Sequence, residues 1–356
     1  MICLGVLIMT DEWLNKFFTK GITDAYWQVS AQEEALTDSV RAKIFGITPE
    51  NVAQVILERS QLLKSVLPTF SQFCQTNLEM LSQAMLQVLW DLWLPLAIKI
   101  VSSRQNLGRP FIQGILGGQG TGKTTMCQIL SLIIQQLGYC TLCLSLDDLY
   151  KTYSDRLALT QQDPRLIWRG PPGTHDIDLG LILLDQIHEG KSPISVPRFD
   201  KSAYSGAGDR TTPEIFTHVD IVLFEGWFVG VQPIEPQTFD TAPPPIVTHE
   251  DRAFARDMNH QLQAYLPLWS RLDSLIALEP NDYHCSLQWR KQAEKKMITT
   301  GKSGMNDAEI EKFVNYFWRS LHPELLIKPL LKSAKVDLIV KVDTNHSFGA
   351  IYSHYS

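Results

Sequence analysis

One run of residues carries the most chemistry in this chain: Gly117-Gly118-Gln119-Gly120-Thr121-Gly122-Lys123-Thr124. It fits G-x-x-x-x-G-K-[ST], a pattern in which glycines let successive backbone N–H groups curl around one anion. A helix opening at Lys123 would add the positive end of its dipole. Lys123 would reach the β- and γ-phosphates of ATP, the Thr124 hydroxyl would bind Mg²⁺, and Thr125 completes the nucleotide-binding set.

Two acidic positions follow short apolar runs. Thr141–Leu146 ends in Asp147-Asp148-Leu149-Tyr150, and Ile221–Phe224 ends in Glu225-Gly226. In open α/β sheets, ligands bind beyond the carboxyl ends of the strands. Asp147 could there accept a hydroxyl proton or help orient Mg²⁺. Asp148 either shares that work or caps the next helical turn. Glu225 has the place of an acid beside the phosphate loop, binding Mg²⁺ directly or through water.

The elements that must position these groups follow from hydrophobic periodicity. The glycine run lies between an apolar strand, Ile112–Leu116, and an amphipathic helical stretch, Thr125–Leu137, which is the context the motif needs. Further apolar runs are Val219–Phe224, Leu272–Leu278 and Val336–Val342, with a helical pattern at Asp178–Glu189. This alternation predicts an α/β fold: a parallel sheet covered by helices on both faces.

Residues 1–105 read as a helical N-terminal region, and 106–356 as a nucleotide-binding domain. Thr48-Pro49-Glu50 signals a helix start, followed by a stripe from Val52 to Val66. A second helix is expected from Ser71 to Trp93, ended or kinked by Pro95. Ser102–Pro110 reads as a linker, and Pro/Thr-rich Val231–Val247 as an extended surface insertion.

The chain has 356 residues and a net charge of −6, with no lysine-rich run, so nucleic acid is not an expected partner. The apolar start before Thr10 has no basic flank, and Asp91, Pro95 and Lys99 interrupt Val88–Val101. The expectation is a soluble cytoplasmic protein without a membrane span. Cys140 and Cys143 form a lone C-x-x-C inside an apolar run and read as core cysteines. The oligomeric state is not legible.

Asp147-Asp148-Leu149-Tyr150 resembles the D-[DS]-F-Y element of the uridine kinase, phosphoribulokinase and pantothenate kinase superfamily of P-loop kinases. Four further segments resemble D-glycerate 3-kinase of the plant and cyanobacterial type. They are Gly170-Pro171-Pro172-Gly173-Thr174-His175-Asp176, the stretch Pro197–Arg210, Glu225–Gly230, and Trp289-Arg290 through Gly304-Met305. The resemblance spans roughly residues 105 to 345. It implies transfer of the ATP γ-phosphate to D-glycerate, giving 3-phosphoglycerate, a step of photorespiratory carbon recovery. It also implies Asp147 as base, His175, Asp176, Arg198, Asp200, Lys201 and Arg210 around the acceptor, and Arg290 on a lid at about 281–305. The D-D-L-Y element has Leu for Phe, and Phe199 stands where many relatives have Tyr. No redox-sensitive C-terminal extension is seen, so redox regulation is not carried over.

The residues themselves agree in part. A small hydroxy acid needs an arginine fork or a lysine for its carboxylate. Arg169, Arg198, Lys201 and Arg210 lie in polar Gly/Pro-containing segments, where binding residues concentrate. Arg290 could instead pair with Glu294, and Lys291, Lys295, Lys296 and Lys302 could be an exposed helix face. Asp343–Asn345 are adenine-contact candidates. Two other readings stay open: a kinase for a nucleoside, phosphoribulose or pantothenate-like acceptor, and an ATP-driven switch or assembly factor.

Overall fold

A computed structural model describes residues 25–78, 82–299 and 304–353. A six-stranded sheet forms its centre, in the order β2-β5-β1-β6-β7-β8. The strands are β1 Phe111–Gly117, β2 Thr141–Ser145, β5 Ile221–Gly226, β6 Ser274–Pro280, β7 Leu338–Val342 and β8 Phe348–Tyr352. The first five in that order run parallel, and β8 pairs antiparallel at one edge. Every residue of β1 and β5 is buried, as expected for strands covered on both faces.

Helices cover both faces. On one lies α5 (Lys123–Gln136), which buries Met126, Cys127, Ile129, Leu130, Ile133 and Ile134. The N-terminal helices pack on that same face: α1 Ala25–Thr37, α2 Ser39–Ile44, α3 Val52–Asn77 and α4 Gln83–Leu107. Trp27, Phe70, Trp93 and Leu96 share one core with Ile115, Ile129 and Ile276. On the other face, α7 (Ile177–His188) and α8 (His249–Gln261) bury Leu183, Leu184 and Ala255 against Leu142, Val222 and Ala277. Between α5 and α7 lies the short α6 (Tyr153–Gln162).

Several boundaries differ from the sequence reading. The helix signalled at Thr48–Glu50 starts at Val52, because Thr48–Asn51 form a turn in which Asn51 Oδ1 accepts the Thr48 N–H. α3 continues through Pro68 to Asn77 and α4 starts at Gln83, so the helix expected from Ser71 to Trp93 is divided between two. α4 continues through Pro95, which lies just beyond a wide helical turn at Leu89–Trp93. The hydrogen-bond ladder is already shifted there, so the missing proline N–H costs little. The expected linker is mostly helix: α4 runs to Leu107, Gly108 caps it with φ 71°, and β1 starts at Phe111. Val231–Val247 lies largely at the surface, as expected, but Val231, Phe239 and Ile246 are fully buried and anchor it. Cys143 is half-buried on β2 and Cys140 half-buried just before it. α4 is long and apolar enough to cross a membrane by length and composition, but Leu89, Trp93, Leu94 and Ala97 are buried among its neighbours.

The sequence reading missed a hairpin, β3 (Ile194–Asp200) with β4 (Asp209–Phe216). Its pairing shifts register between Val196 and Arg198, at Pro197, which donates no ladder hydrogen bond. The hairpin carries Arg198, Asp200, Lys201 and Arg210. The last two long helices, α9 (Cys285–Thr299) and α10 (Asp307–Ser320), pack on each other beside the phosphate loop.

Candidate active site

The phosphate loop leaves the buried end of β1 and turns into α5. Gly122, with φ 86°, caps the helix, and Gly120 has φ 79°. A Cβ at Gly120 would come within 2.7 Å of the Trp289 Cβ, so the loop needs glycine for conformation and for space. Thr121 Oγ1 donates to the Gly118 carbonyl at 2.9 Å, and Lys123 Nζ folds back to that same carbonyl at 2.9 Å. Burial lowers the Lys123 ammonium from its ordinary range, opposed by the charges of Glu225 and Asp147.

Register places the second acid. Ile115 pairs with Glu225 and Leu116 with Gly226, so Glu225 lies one residue from the end of β5, next to the start of the loop. Thr124 Oγ1 donates to Glu225 Oε1 at 2.9 Å. Threonine hydroxyl and carboxylate together make a hard oxygen pair. Mg²⁺ takes one or two protein ligands and completes its shell with phosphate and water. No cluster of three metal-binding acids, histidines or cysteines occurs among the described residues, and a phosphate-bridged ion needs none.

The two aspartates separate cleanly. Asp148 accepts the Ser145 N–H at 3.0 Å and pairs with Arg198 at 3.0 Å, closing a capping box around Leu146–Leu149. Asp147 points its carboxylate to Lys201, at 2.6 Å. Burial works to raise the Asp147 carboxyl, but the Lys201 ammonium and the Tyr150 hydroxyl outweigh it and leave it below its ordinary value. It is therefore ionised at neutral pH.

Around Asp147 the structure gathers segments far apart in sequence. Tyr150 bridges antiparallel to His175, which brings the Gly170–Asp176 loop alongside. Arg210 donates to the Tyr150 carbonyl at 2.9 Å and to Asp176 at 2.8 Å, while Asp176 also caps α7 through the Leu179 N–H. Arg169 donates to the carbonyls of Gly206 and Ala207 and lies over the rings of Tyr150 and Phe199. Of the residues expected around the acceptor, Lys201 and Arg210 face this group most directly. His175 is 1% exposed and lies beneath Tyr150, their rings stacked at 4.6 Å. Arg198 is engaged with Asp148, Glu214 and the Cys143 carbonyl, and exposed Asp200 holds Ser202. In this conformation both brace the hairpin.

The α9–α10 pair holds its own charges. Arg290 pairs with buried Glu294 and lies over Phe313 at 5.1 Å. Lys291 pairs with Glu311 at 2.7 Å. Lys295 is exposed, and Lys302 lies outside the described residues. Trp289 was quoted in the sequence only as part of a motif. Here it rests on the loop, donates Nε1–H to the Thr344 carbonyl at 2.9 Å and contacts His346. His346 in turn bonds the Gly120 carbonyl at 3.0 Å, which ties the turn at Asp343–Asn345 to the phosphate loop. A cavity of about 430 Å³ opens among Gly117–Gln119, Trp227, the end of β6 and α10.

A phosphate loop with its paired acid, an ionised aspartate one strand away and two helices packed beside the loop form a kinase site. No family model matches the chain. It is 31% identical over 222 residues to an uncharacterized kinase, mug58, of Schizosaccharomyces pombe, covering 59% of this chain and 79% of the relative. The chain belongs to this family of P-loop kinases. The chloroplastic D-glycerate 3-kinase of Arabidopsis thaliana is 30% identical over 290 residues, covering 76% of this chain and 61% of the plant enzyme. The solved D-glycerate 3-kinase of Cryptococcus neoformans aligns with a TM-score of 0.64 at 25% identity, covering 73% of this chain and 98% of that one. The activity is therefore that of an ATP-dependent kinase on a P-loop fold. Tyr265, buried behind His175, carried no motif signal and was missed by the sequence reading.

Proposed function

We propose that this kinase phosphorylates D-glycerate to 3-phosphoglycerate, using Mg-ATP. The observation that carries the reading is the Asp147–Lys201 pair at 2.6 Å. An ionised acid that can take a hydroxyl proton lies against a cation that can hold a carboxylate. A small hydroxy acid offers both groups on adjacent carbons. The names of the plant and fungal relatives support the same acceptor. A nucleoside would need an aromatic slot, and a phosphorylated acceptor more cationic charge than Lys201 and Arg210, which are already in ion pairs, can offer.

In the proposed mechanism the loop N–H groups and Lys123 hold the β- and γ-phosphates. Thr124 and Glu225 would hold Mg²⁺, which supplies charge neutralisation on the phosphates when bound. Asp147, whose carboxylate meets Lys201 and not the Thr124–Glu225 pair, is assigned as the base. Lys201 and Arg210 orient the acceptor, Asp147 accepts its hydroxyl proton, and the γ-phosphoryl passes in line. α9 and α10 act as the lid, with Arg290 turning from Glu294 to the transferred phosphate as water is excluded. The five cysteines described are all free, which suits a reducing compartment such as the cytoplasm.

The test is ADP release from Mg-ATP across D-glycerate, L-glycerate, uridine, pantothenate and ribulose 5-phosphate, with Asp147→Asn alongside. Stimulation by D-glycerate alone, reduced about 10³-fold in the variant, is expected. Stimulation by another acceptor would keep the mechanism and overturn the acceptor. Slow hydrolysis indifferent to all of them would favour an ATP-driven switch.

A further inference from the structure

His175 and Tyr265 form a buried hydrogen-bonded pair whose protons can be placed by elimination. Tyr265 is fully buried, and its hydroxyl oxygen accepts the Gly173 N–H at 2.9 Å. Burial raises its phenol well above the ordinary range, so it stays protonated. That proton needs an acceptor, and the one within reach among the described residues is His175 Nδ1, at 2.7 Å. With Nδ1 accepting, the neutral imidazole carries its hydrogen on Nε2. Nε2 is itself buried and has no hydrogen-bond partner among the described residues. A buried N–H donor left unpaired is costly unless a ligand completes it.

The ring lies among residues of the acceptor side. The imidazole is stacked on Tyr150 and meets Phe228 and Tyr265 edge-on. The charged groups acting on it are Asp147, Lys151 and Arg156, with Asp147 first among them. Burial holds His175 down at about 3, so it does not become a cation in the working range. We propose that Tyr265 is a positioning residue that locks His175 as its Nε2–H tautomer, so that the ring offers the acceptor substrate an uncharged hydrogen-bond donor beside Asp147. This rests on the acceptor site assigned above. It adds a specificity device: an oxygen of the acceptor satisfies a donor that is otherwise stranded, and an analogue lacking that oxygen leaves it stranded.

The first experiment is nitrogen NMR of the full chain labelled in its nine histidines, with His175→Gln used for assignment. A neutral Nε2–H tautomer in the wild type, lost or mixed in Tyr265→Phe, is the expected result. An Nδ1–H tautomer or an imidazolium at pH 6 would overturn the proposal. Steady-state kinetics supply the second readout. Tyr265→Phe should raise the acceptor KM about tenfold while leaving the ATP KM unchanged. His175→Gln, which keeps an amide donor, should retain more acceptor affinity than His175→Leu. The wild-type acceptor KM should stay flat as pH falls through 6.5, and tightening there would identify a cationic His175 and overturn the proposal. Equal loss of ATP and acceptor affinity in Tyr265→Phe would also overturn it, leaving a packing role. A confirmed tautomer in a protein that no acceptor stimulates would instead sink the acceptor assignment and leave the Tyr265–His175 lock standing.

Discussion

The two halves of this site are built differently. The phosphate side is one continuous stretch, Gly117–Thr124, with Glu225 set beside it by the parallel register of β1 and β5. It runs from the end of β1 straight into α5, with Gly117 and Thr121 buried. The acceptor side proposed above is an assembly: Asp147 from the turn after β2, Lys201 and Arg210 from the hairpin, and His175 and Asp176 from a Gly/Pro-rich loop. Long-range ion pairs hold it, and Lys201 leaves 63% of its side chain exposed. A phosphate is much the same in every nucleotide, so a rigid cradle serves. An acceptor differs from kinase to kinase, and a jointed site can be respecified by changing one segment.

That contrast predicts where substitutions do most harm. The largest effect is expected for Lys123→Met, which removes charge where it develops in transfer. Turnover should fall roughly 10³-fold with any acceptor, and the loss should not be recovered by raising acceptor concentration. A loss confined to acceptor KM would show that the two halves are not separate.

Lys201→Met should act on the other half, with a smaller effect of about tenfold on acceptor KM. It also has a pH signature. Burial pushes the Asp147 carboxyl up, and Lys201 is the foremost influence pulling it down. Without Lys201 the carboxyl pKa rises, and the base must be ionised to work. The acid limb of the kcat/KM profile should therefore move to higher pH. An unmoved limb would mean that Asp147 is not the base or that Lys201 does not touch it in solution.

The same division explains what was legible in the sequence. The phosphate loop, Glu225 and the parallel sheet are local patterns, in which spacing and apolar runs determine geometry directly. Asp147 was expected just beyond a strand end, and the structure puts it in the turn after β2. The hairpin was not, because β4 is exposed along nearly its whole length and Pro197 interrupts β3, so neither shows the apolar alternation of a buried strand. Tyr265 was hidden for a related reason. It lies on a short turn at Leu262–Tyr265 with no motif, and only the packing of α8 and the Gly170–Asp176 loop brings its hydroxyl to His175. The N-terminal helices were legible as helices, but their ends were not. Pro68 and Pro95 are tolerated within long helices whose apolar faces bury Phe70, Trp93 and Leu96.

Asp148 gives the smallest expected effect and the sharpest test of the division. It neighbours Asp147 in sequence, and from sequence either role was open to it. In the structure its carboxylate closes the capping box at Ser145 and meets Arg198, which also reaches Glu214 on β4. Burial raises its carboxyl, and the Ser145 N–H and Arg198 oppose that without bringing it back to its ordinary value. Its contacts thus join the hairpin to the sheet. Asp148→Ala should cost about 1 kcal/mol, the usual worth of a lost cap, and lower Tm by a few degrees. Asp148→Asn, which can still accept the Ser145 N–H, should recover part of that. In both variants turnover at saturating acceptor should stay within a few-fold of the wild type, against the large loss in Asp147→Asn. A loss of turnover in Asp148→Asn as deep as that in Asp147→Asn would place both carboxylates in the reaction. The hairpin would then be tied to the chemistry through Arg198, and the acceptor half would be as continuous as the phosphate half.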